Sequence, residues 1–254
     1  MAIHDDGAQL RSTVATSCRV LAAQGLVGGI LGHVSARVAD AELVVRCRGE
    51  QEGGLRRSLP SDIWRLTFAG EPIDLPLGYE APKELAIHTE LLRARPDLGA
   101  VVHAHPRSAL LAGLAGLTAR PVFGAYNIPA MRLAVDGVPV YPRPVLITRP
   151  ELAREMVAAM GSRPVCILLG HGITVAAESV EQATVLAVNL NELLTITVEL
   201  AWLGATPGTV RAEDLDELPD LGAGFNDELT WQSLVAELGD ADLPGARRSQ
   251  LAVS

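Results

Sequence analysis

Pro82-Lys83-Glu84-Leu85-Ala86-Ile87-His88, running on to Val101-Val102-His103-Ala104-His105-Pro106, is the stretch whose reading decides the fold. Leu85, Leu91 and Leu92 fall at helical spacing after Glu84, and Pro96 stops that segment. Gly99-Ala100-Val101-Val102-His103 then reads as a buried strand. Residues two apart on a strand share a side, so His103 and His105 present both imidazoles to one point. A strand can hold a metal ion in this way. Imidazole suits zinc, iron, cobalt and nickel, and a carboxylate from the preceding helix, Glu84, widens the choice to manganese. A third imidazole comes in Cys166-Ile167-Leu168-Leu169-Gly170-His171-Gly172, where an apolar strand runs into a His held between two glycines that permit a sharp bend. Taken singly, each of these histidines also fits a hydrogen-bonded structural residue at a strand end.

Composition bounds the rest. A chain of 254 residues, 48% hydrophobic and 4% aromatic, has enough apolar material for one substantial α/β domain. The net charge of -9 and pI near 5.2 argue against a nucleic-acid surface, which needs clustered basic residues. Met1 to Asp6 lacks the basic segment and apolar run of a signal peptide, and no stretch reads as a membrane span. Cys18, Cys47 and Cys166, an odd number at unrelated spacings, suit reduced thiols in a cytoplasm, with Cys166 packed in its strand. Lys83 is the only lysine and adjoins Glu84. It reads either as a point charge for an anionic substrate or as the residue of a general preference for Arg.

In chain order, Leu10, Val14, Val20 and Leu21 mark a helix over 9 to 25, closed by Gly25. Gly28 to Arg37 is a glycine-rich turn leading into a strand, and the N–H groups of such turns can cradle an anion. Leu43 to Cys47 and Ile63 to Phe68 read as strands. Beside them Arg48 and Arg37 are candidates for a bidentate clamp on a carboxylate, with Arg48 preferred. Ser108 to Leu117 suits a closely packed helix, and Pro121 to Pro129 a strand or loop with Tyr126 at its polar end. Thr148 is placed to cap a helix through Met160, with Glu151 three residues later. From Glu178 a long helix reaches about Leu203, apolar on several sides, which points to oligomerisation. Asp227 to Leu238 reads as a short helix with Trp231 and Leu234, and Gly245 to Ser254 is expected to fray.

The succession Gly32-His33-Val34-Ser35, Glu84, His103-Ala104-His105-Pro106, Gly170-His171-Gly172 resembles the class II aldolase/adducin superfamily over roughly residues 9 to 205. The resemblance implies a three-layer αβα fold with a central, mainly antiparallel sheet flanked by helices. Length and composition suit one domain over 1 to 254, with 206 to 254 a C-terminal extension whose Phe225 and Trp231 either pack on its own surface or fold over a neighbouring subunit's site. The resemblance also implies a divalent metal, zinc, manganese, iron or cobalt, on His103, His105 and His171. Glu84 becomes a fourth ligand or an acid/base, and Tyr126 the catalytic tyrosine contributed across the interface of a homotetramer.

The sugar-phosphate aldolases of the family carry Gly-Asn where this chain has Gly32-His33, and a serine pair where it has Pro82 and Lys83. The phosphate cradle is therefore largely absent. Gly32-His33-Val34-Ser35-Ala36-Arg37 instead looks like the branch that decarboxylates hydroxylated aromatic or heteroaromatic acids, such as dihydroxyphthalate. The expected activity is that of a metal-dependent lyase releasing CO2 from a small carboxylic acid, with His33, Ser35, Arg48 and Lys83 on the substrate and Glu84 or Tyr126 supplying the proton. Three alternatives share the resemblance: an aldolase of non-phosphorylated hydroxy-keto acids, an iron- and O2-dependent oxygenase of prenylated hydroxyphenyl acids, and a non-catalytic adducin-like scaffold.

Overall fold

The computed structural model describes residues 6–239. The helix α1 (Asp6–Ala23) buries Val14, Ala15, Cys18 and Leu21 completely. It ends where Gly25 takes φ 72°, with the Leu26 N–H returning to the Leu21 carbonyl at 2.9 Å. Glycine pays no side-chain penalty in that left-handed conformation, so the stop expected at Gly25 is realised. The strands β1 (His33–Ala39), β2 (Glu42–Arg46) and β3 (Ile63–Thr67) follow as an antiparallel meander. The helix α2 (Leu85–Ala94) leads into β4 (Ala100–Ala104).

Then come α3 (Arg107–Leu114), α4 (Ile128–Val135), the short β5 (Val140–Tyr141) and α5 (Pro150–Met160). The hairpin β6 (Val165–Leu168) and β7 (Gly172–Ala177) precedes the long α6 (Val180–Trp202), and α7 (Thr230–Ala236) comes last. The strand order is β3-β2-β1-β4-β7-β6-β5, antiparallel throughout except for the β5–β6 pair.

Successive side chains of a strand point to opposite faces, so each buried strand feeds two cores. Val34, Val102, Ile173 and Val175 pack with Val14 and Leu21 of α1 and Leu190 and Leu194 of α6. Leu43, Val45, Val101 and Leu168 pack with Ile87 and Leu91 of α2 and Met156 of α5. Helices therefore cover both faces of the sheet, the three-layer α/β arrangement that the resemblance implied.

Four details differ from the sequence reading. The apolar run beyond His171 is itself a strand, β7, which the sequence analysis leaves unassigned. The cap of α5 is Arg149, not Thr148, because Pro150 occupies the first helical turn, where its missing N–H and fixed φ cost nothing. The end of the Pro121 to Pro129 stretch turns into α4, where the Asn127 side chain accepts the Ala130 N–H at 3.0 Å. The helix α6 is long and apolar enough to cross a bilayer, against the expectation that no stretch reaches that length. It lies in the core, with Val185, Leu190, Leu193 and Leu194 buried.

The chain beyond residue 206 packs on its own body as far as it is described. Leu234 and Leu238 join Val20 and Val185, and the Gln24 amide donates to Glu237 at 2.8 Å. Trp231 lies against that cluster, whereas Phe225 is 57% exposed. Gly245 to Ser254 fall outside the described residues.

Candidate metal centre

Strand register assembles the site. Within the sheet His33 of β1 lies directly opposite His103 of β4, and Ser35 opposite Val101. These residues share the face covered by α2, since Val101 packs with Ile87 and Leu91. Glu84 caps the N-terminus of α2, and His88 lies one turn further along the same side. His171 arrives on the β6–β7 turn, which Gly170 allows with φ 64°. Two glycines let the strands close around the histidines. A Cβ on Gly172 would stand 2.2 Å from the Ala104 carbonyl oxygen, and one on Gly32, already at φ 83°, 3.0 Å from that of His103.

Glu84, His103, His105 and His171 converge so that one ligand atom from each lies within 4.8 Å of all the others. The His103 and His105 Nε2 atoms are 2.8 Å apart. Glu84 Oε2 stands 3.5 Å from His103 Nε2 and 3.4 Å from His171 Nε2. The three rings of His103, His105 and His171 meet edge to face, with centroids 4.7 to 5.0 Å apart.

Surrounding groups fix two of the ligands. His103 Nδ1 donates to the Ile173 carbonyl at 3.0 Å, which leaves its Nε2 lone pair for the centre. The Ile147 N–H donates to Glu84 Oε1 at 2.8 Å, holding the carboxylate with Oε2 inward.

The donor set fits a divalent transition ion. Three imidazole nitrogens and one carboxylate oxygen are the ligands such ions prefer. Metal binding also needs neutral imidazoles. Burial holds His103 below its ordinary value, with Glu84 partly opposing. Burial, reinforced by His103 and His171, takes His105 down to about 3. For Glu84 burial works upward, but its contacts with His103 and His171 prevail and keep the carboxyl ionised well below the usual range. His171 Nδ1 is buried with no partner among the described residues.

Beside the four ligands runs a second polar line. His33 stacks on His103 with centroids 4.9 Å apart and rings inclined by 30°. His33 Nδ1 meets His88 Nε2 at 2.6 Å, and His88 Nδ1 meets Ser35 Oγ at 2.6 Å. Burial, then His103, holds His88 down at about 3, and burial, then His88, lowers His33 well below its ordinary value. Among the six histidines all but His4, which lies outside the described residues, therefore belong to one group. His88 carries no role in the sequence analysis. Its signal was the four-residue spacing from Glu84 on a buried helical face.

The remaining candidates are placed as follows. Ser35 is fully buried, its hydroxyl on His88 and not toward an opening. Lys83 is 67% exposed and paired with Glu80 at 3.1 Å. Arg48 donates to the Ile30 carbonyl of the glycine-rich turn at 3.0 Å, while its backbone pairs with Glu80. Arg37 is committed to the carbonyls of Leu92, Arg95 and Leu98 at the far end of α2, so it is no carboxylate clamp. Tyr126 is 70% exposed, packs edge to face on Phe123 and donates to Glu192 at 2.7 Å. It lies outside the four-ligand group of its own chain.

Comparison with known proteins agrees with this geometry. The chain is 49% identical over 234 residues to the 3,4-dihydroxyphthalate decarboxylase of Arthrobacter keyseri, covering 91% of this chain and 94% of that one. It is 46% identical over 234 residues to the enzyme of that name from a Terrabacter species, covering 90% and 97%. In fold it is similar to an aldolase II superfamily protein from Pseudomonas syringae, with TM-score 0.78 and 22% identity over 93% of this chain and 94% of that one. Residues 12–198 match the model of the Class II Aldolase and Adducin N-terminal domain. A chain with this sheet, this cluster of ligands and these relatives belongs to the class II aldolase and adducin family.

Proposed function

We propose that this chain is a metal-dependent carbon–carbon lyase that decarboxylates a hydroxylated aromatic acid of the 3,4-dihydroxyphthalate kind. The observation that carries the reading is the near-half identity to decarboxylases of that substrate along almost the whole of both chains. The four converging ligands supply the chemistry such a reaction needs. A divalent ion bound there acts as a Lewis acid on chelated oxygens and stabilises charge that develops on the adjacent carbon.

The chain's own residues do the rest. His103, His105 and His171 would hold the ion together with the Glu84 carboxylate, and zinc, manganese, iron and cobalt all match this donor set. Glu84 is ionised in the free site, so it first takes the proton of a substrate hydroxyl and then returns it to the ring carbon that loses CO2. His33, at the edge of the ligand group, contacts the substrate. Arg48 and Lys83, which both meet Glu80, are the cations for the substrate's carboxylates. Tyr126 acts on the site of a neighbouring subunit. That arrangement belongs to a homotetramer with sites at its interfaces, a reading supported by the 88% exposed Trp202 and 80% exposed Leu203 at the end of α6. The whole chain is then one domain, with Phe225 of the extension available to a neighbour. Three buried, unpaired cysteines support a reducing, cytoplasmic location.

The test combines elemental analysis with CO2 release from 3,4-dihydroxyphthalate. Wild-type protein is expected to carry about one transition-metal ion per chain and to release CO2, and His103→Ala to lose both. CO2 release that survives chelation or His103→Ala overturns the proposal.

A further inference from the structure

The line Ser35, His88, His33 is sealed at one end and reaches the metal centre at the other. Ser35 is wholly buried in β1 and His88 wholly buried on α2, whereas His33 keeps 4% of its surface exposed beside His103. Direction along such a line follows from the hydroxyl at its closed end. Ser35 Oγ has His88 Nδ1 as its partner among the described residues. A buried hydroxyl that merely accepted would leave its own proton without an acceptor, a penalty comparable to a lost hydrogen bond. Ser35 therefore donates to His88 Nδ1. A neutral imidazole that accepts at Nδ1 carries its proton at Nε2. His88 Nε2–H then donates to His33 Nδ1 across 2.6 Å. By the same rule His33 carries its own proton at Nε2, its remaining hydrogen-bonding atom.

We propose that Ser35 and His88 are positioning residues that lock His33 as the Nε2–H tautomer, so that His33 serves as a fixed, neutral hydrogen-bond donor to an anionic oxygen of the substrate at the metal centre. The substrate half of this inference rests on the decarboxylase reading. The carboxylate oxygens of such a substrate are acceptors only, and a ring that presented a bare nitrogen to them would repel them. A ring whose tautomer is set in advance has no reorganisation to undergo when the substrate arrives. The short contacts at both nitrogens of His88 also keep the His33 ring stacked beside His103. Ser35 and His88 thus act through His33 without touching the substrate.

The experiment is long-range nitrogen–proton NMR on uniformly 15N-labelled, metal-loaded protein, together with steady-state kinetics. Wild-type His33 is expected to show a bare Nδ1 and a protonated Nε2. Ser35→Ala, which leaves His88 Nδ1 without its donor, should give a mixture of His33 tautomers and lower kcat/KM about 2- to 12-fold, the range for one neutral hydrogen bond. Metal content should not change. Ser35→Thr, which keeps the hydroxyl, should restore both the spectrum and the rate. An Nδ1–H His33 in the wild type overturns the inference, as does a Ser35→Ala protein with unaltered His33 resonances. If the wild type releases no CO2 from 3,4-dihydroxyphthalate, the decarboxylase reading falls, while the nitrogen spectrum still decides the tautomer.

Discussion

Gly172 acts through the side chain it lacks. Its ideal Cβ position lies 2.2 Å from the Ala104 carbonyl oxygen, a backbone atom that cannot swing aside. Gly172→Ala should push β7 away from β4 next to His103, lowering stability by about 1–3 kcal/mol, as overpacked sites do, and reducing bound metal. Gly208→Ala, with nothing within 4 Å, should stay within about 0.5 kcal/mol of the wild type. Thermal unfolding and elemental analysis of the two variants check this pair. At this scale the four ligands are legible in the sequence. The H-x-H repeat matches the strand period and Gly-His-Gly marks a bend, and both are local signals. His88 is legible only as a residue four after Glu84 on one helical face; its partners Ser35 and His33 are 53 and 55 residues away, and only strand register brings them near. The direction of the Lys83 side chain is illegible for a related reason. Neighbours in sequence at a helix start point roughly 100° apart, so adjacency to Glu84 sends the Lys83 side chain to solvent.

Among the elements, α6 starts where Ser179 accepts the Gln182 N–H at 3.2 Å. Ser179→Ala should cost about 1 kcal/mol in a urea titration, the usual value of such a cap, and leave CO2 release unchanged, since Ser179 is not one of the four ligands. An unaltered midpoint would mean that tertiary packing alone fixes the end of α6. Helices with a periodic apolar face, α1, α2 and α6, are readable from the sequence because helical spacing persists over several turns. The hairpin of β6 and β7 is harder. Both strands are buried on both faces, so Cys166 to Ala177 lacks the alternation that separates one strand from the next. The break is carried by Gly170 alone, at φ 64°. Similarly, Thr148 fits a capping pattern as well as Arg149 does until the geometry of Pro150 selects the latter.

For the whole molecule, an ion pair holds the segment that follows β2. Arg46, 4% exposed at the end of β2, is bound by Glu52, which also accepts the Gly54 N–H at 2.6 Å. Burial raises the Glu52 carboxyl, but the Arg46 contact prevails and its value is lowered on folding. A carboxyl lowered on folding contributes its full stability above the unfolded value, about 4.3, and loses it as the pH falls toward the folded one. Glu52→Gln should therefore destabilise the protein at pH 7 by about 2 kcal/mol, somewhat less than a fully buried pair would give. The gap between variant and wild type should narrow as the pH drops below about 4.3, as followed by urea midpoints. The strand order is the least legible property of the chain, since nothing local in β1 says that it pairs with β4 across more than sixty residues.

That order has one more consequence. The strand β4 lies between β1 and β7, near the middle of the sheet, and every one of its five residues is buried. The amides of Val101, Val102 and His103 should thus exchange with solvent deuterium only when the entire molecule opens, so their protection reports global stability directly. A strand that cannot breathe separately gives the centre almost no means of adjusting its bite to the radius of the ion. Discrimination among metals then falls to the ligands outside that strand, His171 on its turn and Glu84 at the start of α2.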